Sequence, residues 1–94
     1  MLMELHVAAA SDITGRGVAT LFEPDADPWL TFGSVQCRVI PPSGEPFEAT
    51  AFVEFARKVP PGEVMALLFP HHRSADIPVG SRVIVLSHSP KVGK

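Results

Sequence analysis

Two adjacent histidines are the first residues whose type could do chemistry, because imidazole is a common metal ligand and general base. His71 and His72 lie in a segment bounded by prolines, while His6 and His88 are distant in sequence. On an extended segment adjacent side chains point to opposite sides, so the pair cannot easily hold one metal ion. The spacing therefore predicts no metal site and a solvated loop around the two histidines.

The chain contains one cysteine, Cys37. A single thiol allows neither an intramolecular disulfide nor a thiolate metal cluster, which fits a reducing compartment. A cysteine acts as a nucleophile where a nearby base lowers its pKa, but Cys37 alternates with Val35 and Val39 along one apolar side. This alternation predicts a buried core residue.

The remaining nucleophile and ion-binding patterns are absent from the sequence. The serines have no Gly-x-Ser-x-Gly context, and Glu23, Asp25 and Asp27 are too loosely spaced for an EF-hand. We therefore expect a protein that is not an enzyme, with no catalytic residues and no cofactor.

Composition and charge narrow the class further. Hydrophobic residues make up 46% of the 94 residues and charged residues 19%, a balance that favours one compact folded domain. The net charge is −2 and basic residues do not cluster, which disfavours non-specific nucleic-acid binding. A signal peptide and an apolar run of roughly 20 residues are both missing, so we expect a cytoplasmic protein without membrane association.

The elements that must position any site are short strands, because ten prolines and seven glycines interrupt the chain. Alternating apolar residues predict strands over residues 2–10, 18–22, 34–40, 46–55, 64–69 and 82–86. The apolar run 64–69 is typical of a strand buried on both faces. Residues 29–32 form either a short strand or a lid over one barrel mouth.

Short strands at this spacing are typical of a sandwich or a barrel, and a closed barrel leaves no exposed edges. We predict an all-β fold, a small closed antiparallel β-barrel of six to seven strands. The barrel domain is expected to cover residues 1–88, with a frayed tail over residues 89–94.

Several short segments between residues 13 and 86 carry a resemblance in a shared order. They read ITGRGVAT at 13–20, VEFARK at 53–58, PGE at 61–63, ALL at 66–68 and SADIPVGSRV at 74–83. Together they resemble the second, β-barrel domain of elongation factor Tu and related translational GTPases. In physical terms, Gly15 and Gly17 can supply the positive φ of a bulged turn, which requires no ligand.

The resemblance implies a role in translation without GTP chemistry. In that family the barrel packs on a GTPase domain, helps to hold the aminoacylated 3′ end of transfer RNA, or touches the small ribosomal subunit. This chain has no Gly-x-x-x-x-Gly-Lys-Ser/Thr loop, so GTP binding does not carry over. Ala8, Ala9, Ala10 and Ser11 replace the acidic and aromatic residues of the family's aminoacyl pocket, and Arg16 keeps a counterpart. The resemblance thus implies a non-catalytic binding module for a translation-related RNA or protein.

Two groups of residues are candidates for partner contact. Arg16, Arg57, Lys58 and Arg73 are expected to meet at the surface in a small anion or RNA contact. Trp29, Leu30 and Phe32 form an apolar group that either plugs the barrel or serves as a partner-binding hot spot.

Two other functions remain open on the sequence. The chain is either a regulator or immunity-type protein that mimics elongation factor Tu to bind a protein, or a small-ligand barrel with a pocket at one mouth. Protein binding predicts indifference to salt, RNA binding predicts affinity that falls steeply with salt, and a ligand barrel predicts a pocket of a few hundred Å³.

Overall fold

The computed structural model describes residues 3–22, 33–57 and 63–90, and these residues form a closed antiparallel barrel. The strands are β1 (Met3–Ile13), β2 (Gly17–Phe22), β3 (Gly33–Ile40), β4 (Phe47–Arg57), β5 (Glu63–Phe69) and β6 (Arg82–Pro90). Their order around the barrel is β1-β2-β5-β4-β3-β6, and β6 pairs back to β1. The predicted all-β closed barrel is confirmed, and the described part of the chain contains no helix.

Alternation along the strands separates the core from the surface. In β3, Val35, Cys37 and Val39 are buried while Gln36 and Arg38 face outward. The buried side chains pack into one core, in which Leu67 and Phe69 are fully enclosed. Period-two alternation is what a sheet with one face inward requires, so the predicted core position of Cys37 is confirmed.

β5 differs from the other strands because both of its faces are buried, as its apolar run predicts. Met65, Leu67 and Phe69 point into the core, and the intervening Ala66 and Leu68 are only 7% and 6% exposed. The strand lies between β2 and β4 in the barrel. Burial on both faces matches the uninterrupted apolar sequence of residues 65–69.

The three described connections between strands emerge at the same end of the barrel. They are residues 14–16, 41–46 and 70–81. Because successive strands run antiparallel, the ends of β1, β3 and β5 lie together there. We call residues 14–16, 41–46 and 70–81 the loop end, and residues 70–81 the connector.

The β1–β2 turn depends on its glycines. Gly15 has a φ of 76° and Gly17 a φ of 117°, which confirms the predicted positive φ values. A Cβ at Gly17 would overlap the Phe69 carbonyl oxygen and lie 2.7 Å from Pro70 Cα. Close backbone approach and a left-handed conformation therefore both require glycine at this position.

Three strands extend beyond their predicted ends, and the extension of β4 is two residues, to Arg57. β1 continues past residue 10 because Ser11, Asp12 and Ile13 stay paired with β2. β6 continues to Pro90, and both Ser89 and Pro90 pair with β3. These two residues belong to the barrel rather than to a frayed tail. Residues 91–94, like the strand or lid predicted at 29–32, lie outside the described residues.

Candidate functional site

The connector closes the loop end of the barrel. Its Ile77 side chain is fully buried and belongs to the core cluster. Backbone hydrogen bonds run from Gly80 N–H to the Val7 carbonyl at 3.0 Å and from Val7 N–H to the Ser81 carbonyl at 2.9 Å. The connector is therefore fixed to β1 before it enters β6.

A second attachment joins the connector to the far end of β1. Ser74 donates its backbone N–H and its hydroxyl to the two carboxylate oxygens of Asp12, each at 2.7 Å. The hydroxyl and then the backbone N–H of Ser74 lower the pKa of Asp12, and the charge of Arg73 adds to the effect. The Asp12 carboxylate therefore holds the connector in place. Its lowered pKa makes it a weak general base.

Within the connector, Asp76 closes a tight turn. Its Oδ2 atom accepts a hydrogen bond from Arg73 N–H at 3.0 Å, and its own N–H donates to the Arg73 carbonyl at 2.8 Å. Ile77 N–H also donates to that carbonyl, at 3.3 Å. With its backbone engaged in this way, Arg73 presents an exposed side chain.

The two adjacent histidines have different environments. His71 is exposed, whereas the His72 side chain is only 27% exposed. The His72 ring stacks on Phe47 with a centroid distance of 5.0 Å and meets the edge of Phe69 at 6.4 Å. Its Nδ1 atom lies 3.8 Å from Asp76 Oδ2. The predicted solvated loop is right for His71 and wrong for His72, because the aromatic side chain of Phe47 packs against the ring.

Three open clefts surround His72, which lines all of them. The mouth cleft, of about 410 Å³, is lined by Pro41, Pro42, Ser43, Gly44, Glu45, Phe47, His72, Ala75, Asp76 and Pro78. The side cleft, of about 440 Å³, is lined by Gln36, Glu48, Ala49, Thr50, Phe52, Pro70, His71 and His72. The turn cleft, of about 350 Å³, is lined by Asp12, Ile13, Thr14, Gly15, Gly17, Pro70, His71, His72 and Arg73.

The described basic residues of the predicted contact group are divided between the two ends of the barrel, with Arg16 and Arg73 at the loop end. The Arg16 guanidinium donates to Glu54 Oε2 at 2.6 Å, and both side chains are partly exposed. Arg73 lies at the loop end, whereas the backbone of Arg57 ends β4 at the opposite end of the barrel. Lys58 lies outside the described residues. Arg16 is therefore partly neutralised, and Arg57 is separated from Arg73.

The predicted apolar contact group, formed by Trp29, Leu30 and Phe32, lies outside the described residues. Its two predicted roles, barrel plug and partner-binding hot spot, stay predictions.

Sequence reasoning missed the residues that line the mouth and side clefts. Phe52 is 44% exposed and alternates with the outward-facing Thr50 and Glu48 on β4. An aromatic residue at a polar position of an alternating strand was the available signal. Glu45 and Phe47 could not be recognised in this way, because they line a cleft only where the connector folds next to them.

Among residues 3–22, 33–57 and 63–90, no group of three or more His, Cys, Asp or Glu side chains could hold a metal ion. Burial raises the pKa of the Cys37 thiol to about 12, so it is not a ready thiolate. The described residues also contain no helix long and apolar enough to cross a bilayer.

Comparison with known proteins gives no relative. No protein-family model matches the chain, and neither a curated protein nor a solved structure matches it significantly. The closed β-barrel is thus established by the structure, while the resemblance to the second domain of elongation factor Tu stays a prediction.

Proposed function

We propose that the chain is a non-catalytic binding module that engages a protein partner through the loop end of its barrel. The observation that carries this proposal is the grouping of three clefts around His72, all bordered by the connector. Clefts of this size accommodate side chains of a partner, and binding residues in β-proteins commonly lie on connections held by a rigid scaffold.

The architecture favours the loop end over other modes of binding. The six described strands close into a barrel, which offers no free strand edge to which a partner could add a strand. The core is filled by side chains such as Leu67, Phe69 and Ile77, which are all fully buried. A partner must therefore contact the outer face or the connections.

Charge favours a protein over RNA. Arg16 pairs with Glu54, and Arg73 lies near the charged Asp12. With a net charge of −2, the chain as a whole does not carry the positive charge that phosphate backbones favour. Exposed apolar side chains such as Phe52 and Val79 suit a protein surface.

The resemblance to elongation factor Tu directs the search for the partner. If the barrel is of that type, components of the translation machinery in a reducing, cytoplasmic compartment are the first candidates. A protein that mimics elongation factor Tu would bind the same class of partner, so the two readings share their first experiment.

A pull-down compares wild type with Phe52→Ala, with Leu86→Ala as the matched control. Leu86 is also an exposed apolar side chain, but it lines none of the three clefts. Protein and RNA are identified in the eluates at low and high salt. We expect one protein, captured without RNA at low salt, that is reduced by Phe52→Ala alone. RNA released by salt would instead show a nucleic-acid module, and equal loss with both variants would refute binding through the loop end.

A further inference from the structure

The mouth cleft and the side cleft have the same electrostatic character. Glu45 and Asp76 line the mouth cleft and Glu48 lines the side cleft, whereas the described walls of both contain no lysine or arginine. The only basic groups in these described walls are His71 and His72. Any occupant that carries positive charge would therefore meet carboxylates on both sides of His72.

Two of these carboxylates are free to accept a new partner. Glu45 and Glu48 are exposed, and neither forms an ion pair or a side-chain hydrogen bond with another described residue. Arg38 on β3 lies directly opposite Glu48 on β4 in the strand pairing. These two described side chains nevertheless form no ion pair. Asp76 differs, because its carboxylate is used in the connector turn.

Aromatic surface accompanies the carboxylates. Phe52 lines the side cleft and is 44% exposed, and Phe47, stacked against His72, lines the mouth cleft. A guanidinium group can stack on an aromatic ring while it donates hydrogen bonds to a carboxylate, a combination that lysine reproduces less well. Proline side chains complete the apolar walls.

We propose that the mouth and side clefts together bind an extended, arginine-containing segment of the partner protein. This inference rests on the proposed function and names the chemistry of the partner at the same end of the barrel. One arginine would lie between Phe52 and Glu48 in the side cleft. A second basic residue would approach Glu45 in the mouth cleft.

The dimensions suit a short peptide. The strand positions from Phe47 to Phe52 are five steps apart, which corresponds to roughly 17 Å. An extended segment of about five or six residues spans that length. Such a segment would pass His72, which lines both clefts.

The test uses the folded chain and two fluorescein-labelled octapeptides. In one, arginine alternates with leucine, and in the other glutamate replaces every arginine. Binding is measured by fluorescence anisotropy for wild type, Glu45→Gln, Glu48→Gln and Phe52→Ala. Glu4→Gln and Leu86→Ala are the matched controls, because both side chains are exposed and line none of the three clefts. Circular dichroism checks that each variant is folded.

We expect only the arginine peptide to bind, with affinity weakened about fivefold by each carboxylate variant in the clefts. Phe52→Ala should weaken binding to a similar extent, and the two controls should stay within about twofold of wild type. An arginine peptide that binds no better than the glutamate peptide would overturn the inference. So would equal weakening by Glu4→Gln, since binding would then depend on total charge.

The pull-down separates this result from the proposed function. If the arginine peptide does not bind while a protein partner is still captured through the loop end, only the inference of an arginine-containing segment is refuted. If no partner is captured either, the proposed binding function is refuted as well.

Discussion

Ser74 binds Asp12 through two hydrogen bonds of 2.7 Å, and this contact links residues 62 positions apart in the chain. It fastens the connector to the end of β1, next to the turn cleft. The contact is exposed, so its main effect is on the position of the connector rather than on the core.

Loss of this contact should loosen the connector. Asp12→Ala removes both acceptors, and we expect faster amide hydrogen exchange in residues 72–76 together with a lower Tm. Ser74→Ala removes only the hydroxyl donor and should give a smaller change, because the backbone N–H can still donate. Hydrogen exchange measured by NMR on both variants checks the order of the two effects. Equal exchange rates in wild type and Asp12→Ala would contradict the prediction that this contact holds the connector in place.

The same contact should depend on pH. The pKa of Asp12 is lowered in the folded protein, so its contribution is complete above the unfolded pKa of about 3.9 and is lost as pH falls through the folded value. The Tm difference between wild type and Asp12→Asn should therefore be constant near neutral pH and shrink in acid. Thermal unfolding between neutral and strongly acidic pH measures it. A difference that grows toward acid would show that the folded pKa is raised.

The two turn glycines should respond differently to alanine. A Cβ at Gly17 would overlap backbone atoms of Phe69 and Pro70, whereas a Cβ at Gly15 meets no atom within 4 Å. Gly15→Ala should cost about 1 kcal/mol of unfolding free energy, for the left-handed conformation alone. Gly17→Ala should cost about 3 kcal/mol or more, since the clash adds to the backbone strain. Urea denaturation distinguishes them, and equal costs would mean that the turn moves away from Phe69.

The two phenylalanines of the clefts should also differ in their effect on stability. Phe47 packs against the core and stacks on His72, so Phe47→Ala should lower the free energy of unfolding by about 2 kcal/mol. Phe52 is 44% exposed, and Phe52→Ala should change the free energy of unfolding by no more than about 0.5 kcal/mol. Chemical denaturation of both variants provides the test. A large loss with Phe52→Ala would show that this ring supports the fold and would weaken its role as a binding surface.

The core was predictable from the sequence because apolar and polar residues alternate along the strands. The strand ends were not predictable, because they are determined by pairing with a neighbouring strand. Val35, Cys37 and Val39 were recognisable as core because apolar and polar residues alternate there. The end of β1 was missed because Ser11 and Asp12 carry no apolar signal, and only the ladder with β2 makes them strand. Hydrogen bonds of the backbone do not depend on side-chain type, so such ends are weakly encoded.

The candidate site was harder to predict, for a related reason. Arg73 was predicted to contact a partner, but the mouth and side clefts exist only where the connector meets the 41–46 connection, β3 and β4. The pairing of Arg16 with Glu54, 38 positions further along the chain, had no sequence signal either. These are contacts between residues far apart in sequence, which periodicity does not report.

Cys37 provides a test of how tightly the barrel closes. Its side chain is fully buried, and burial raises the thiol pKa to about 12. The thiolate is the species that reacts with disulfide reagents, so the folded protein should react only very slowly at mildly alkaline pH. In denaturant the thiol should regain its ordinary pKa of about 8.5 and react at once. The rate in native buffer would then report opening of the barrel, and Gly17→Ala should raise it through the lower stability. Rapid reaction of native wild type would mean that β3 separates from its neighbours far more readily than a closed ladder allows.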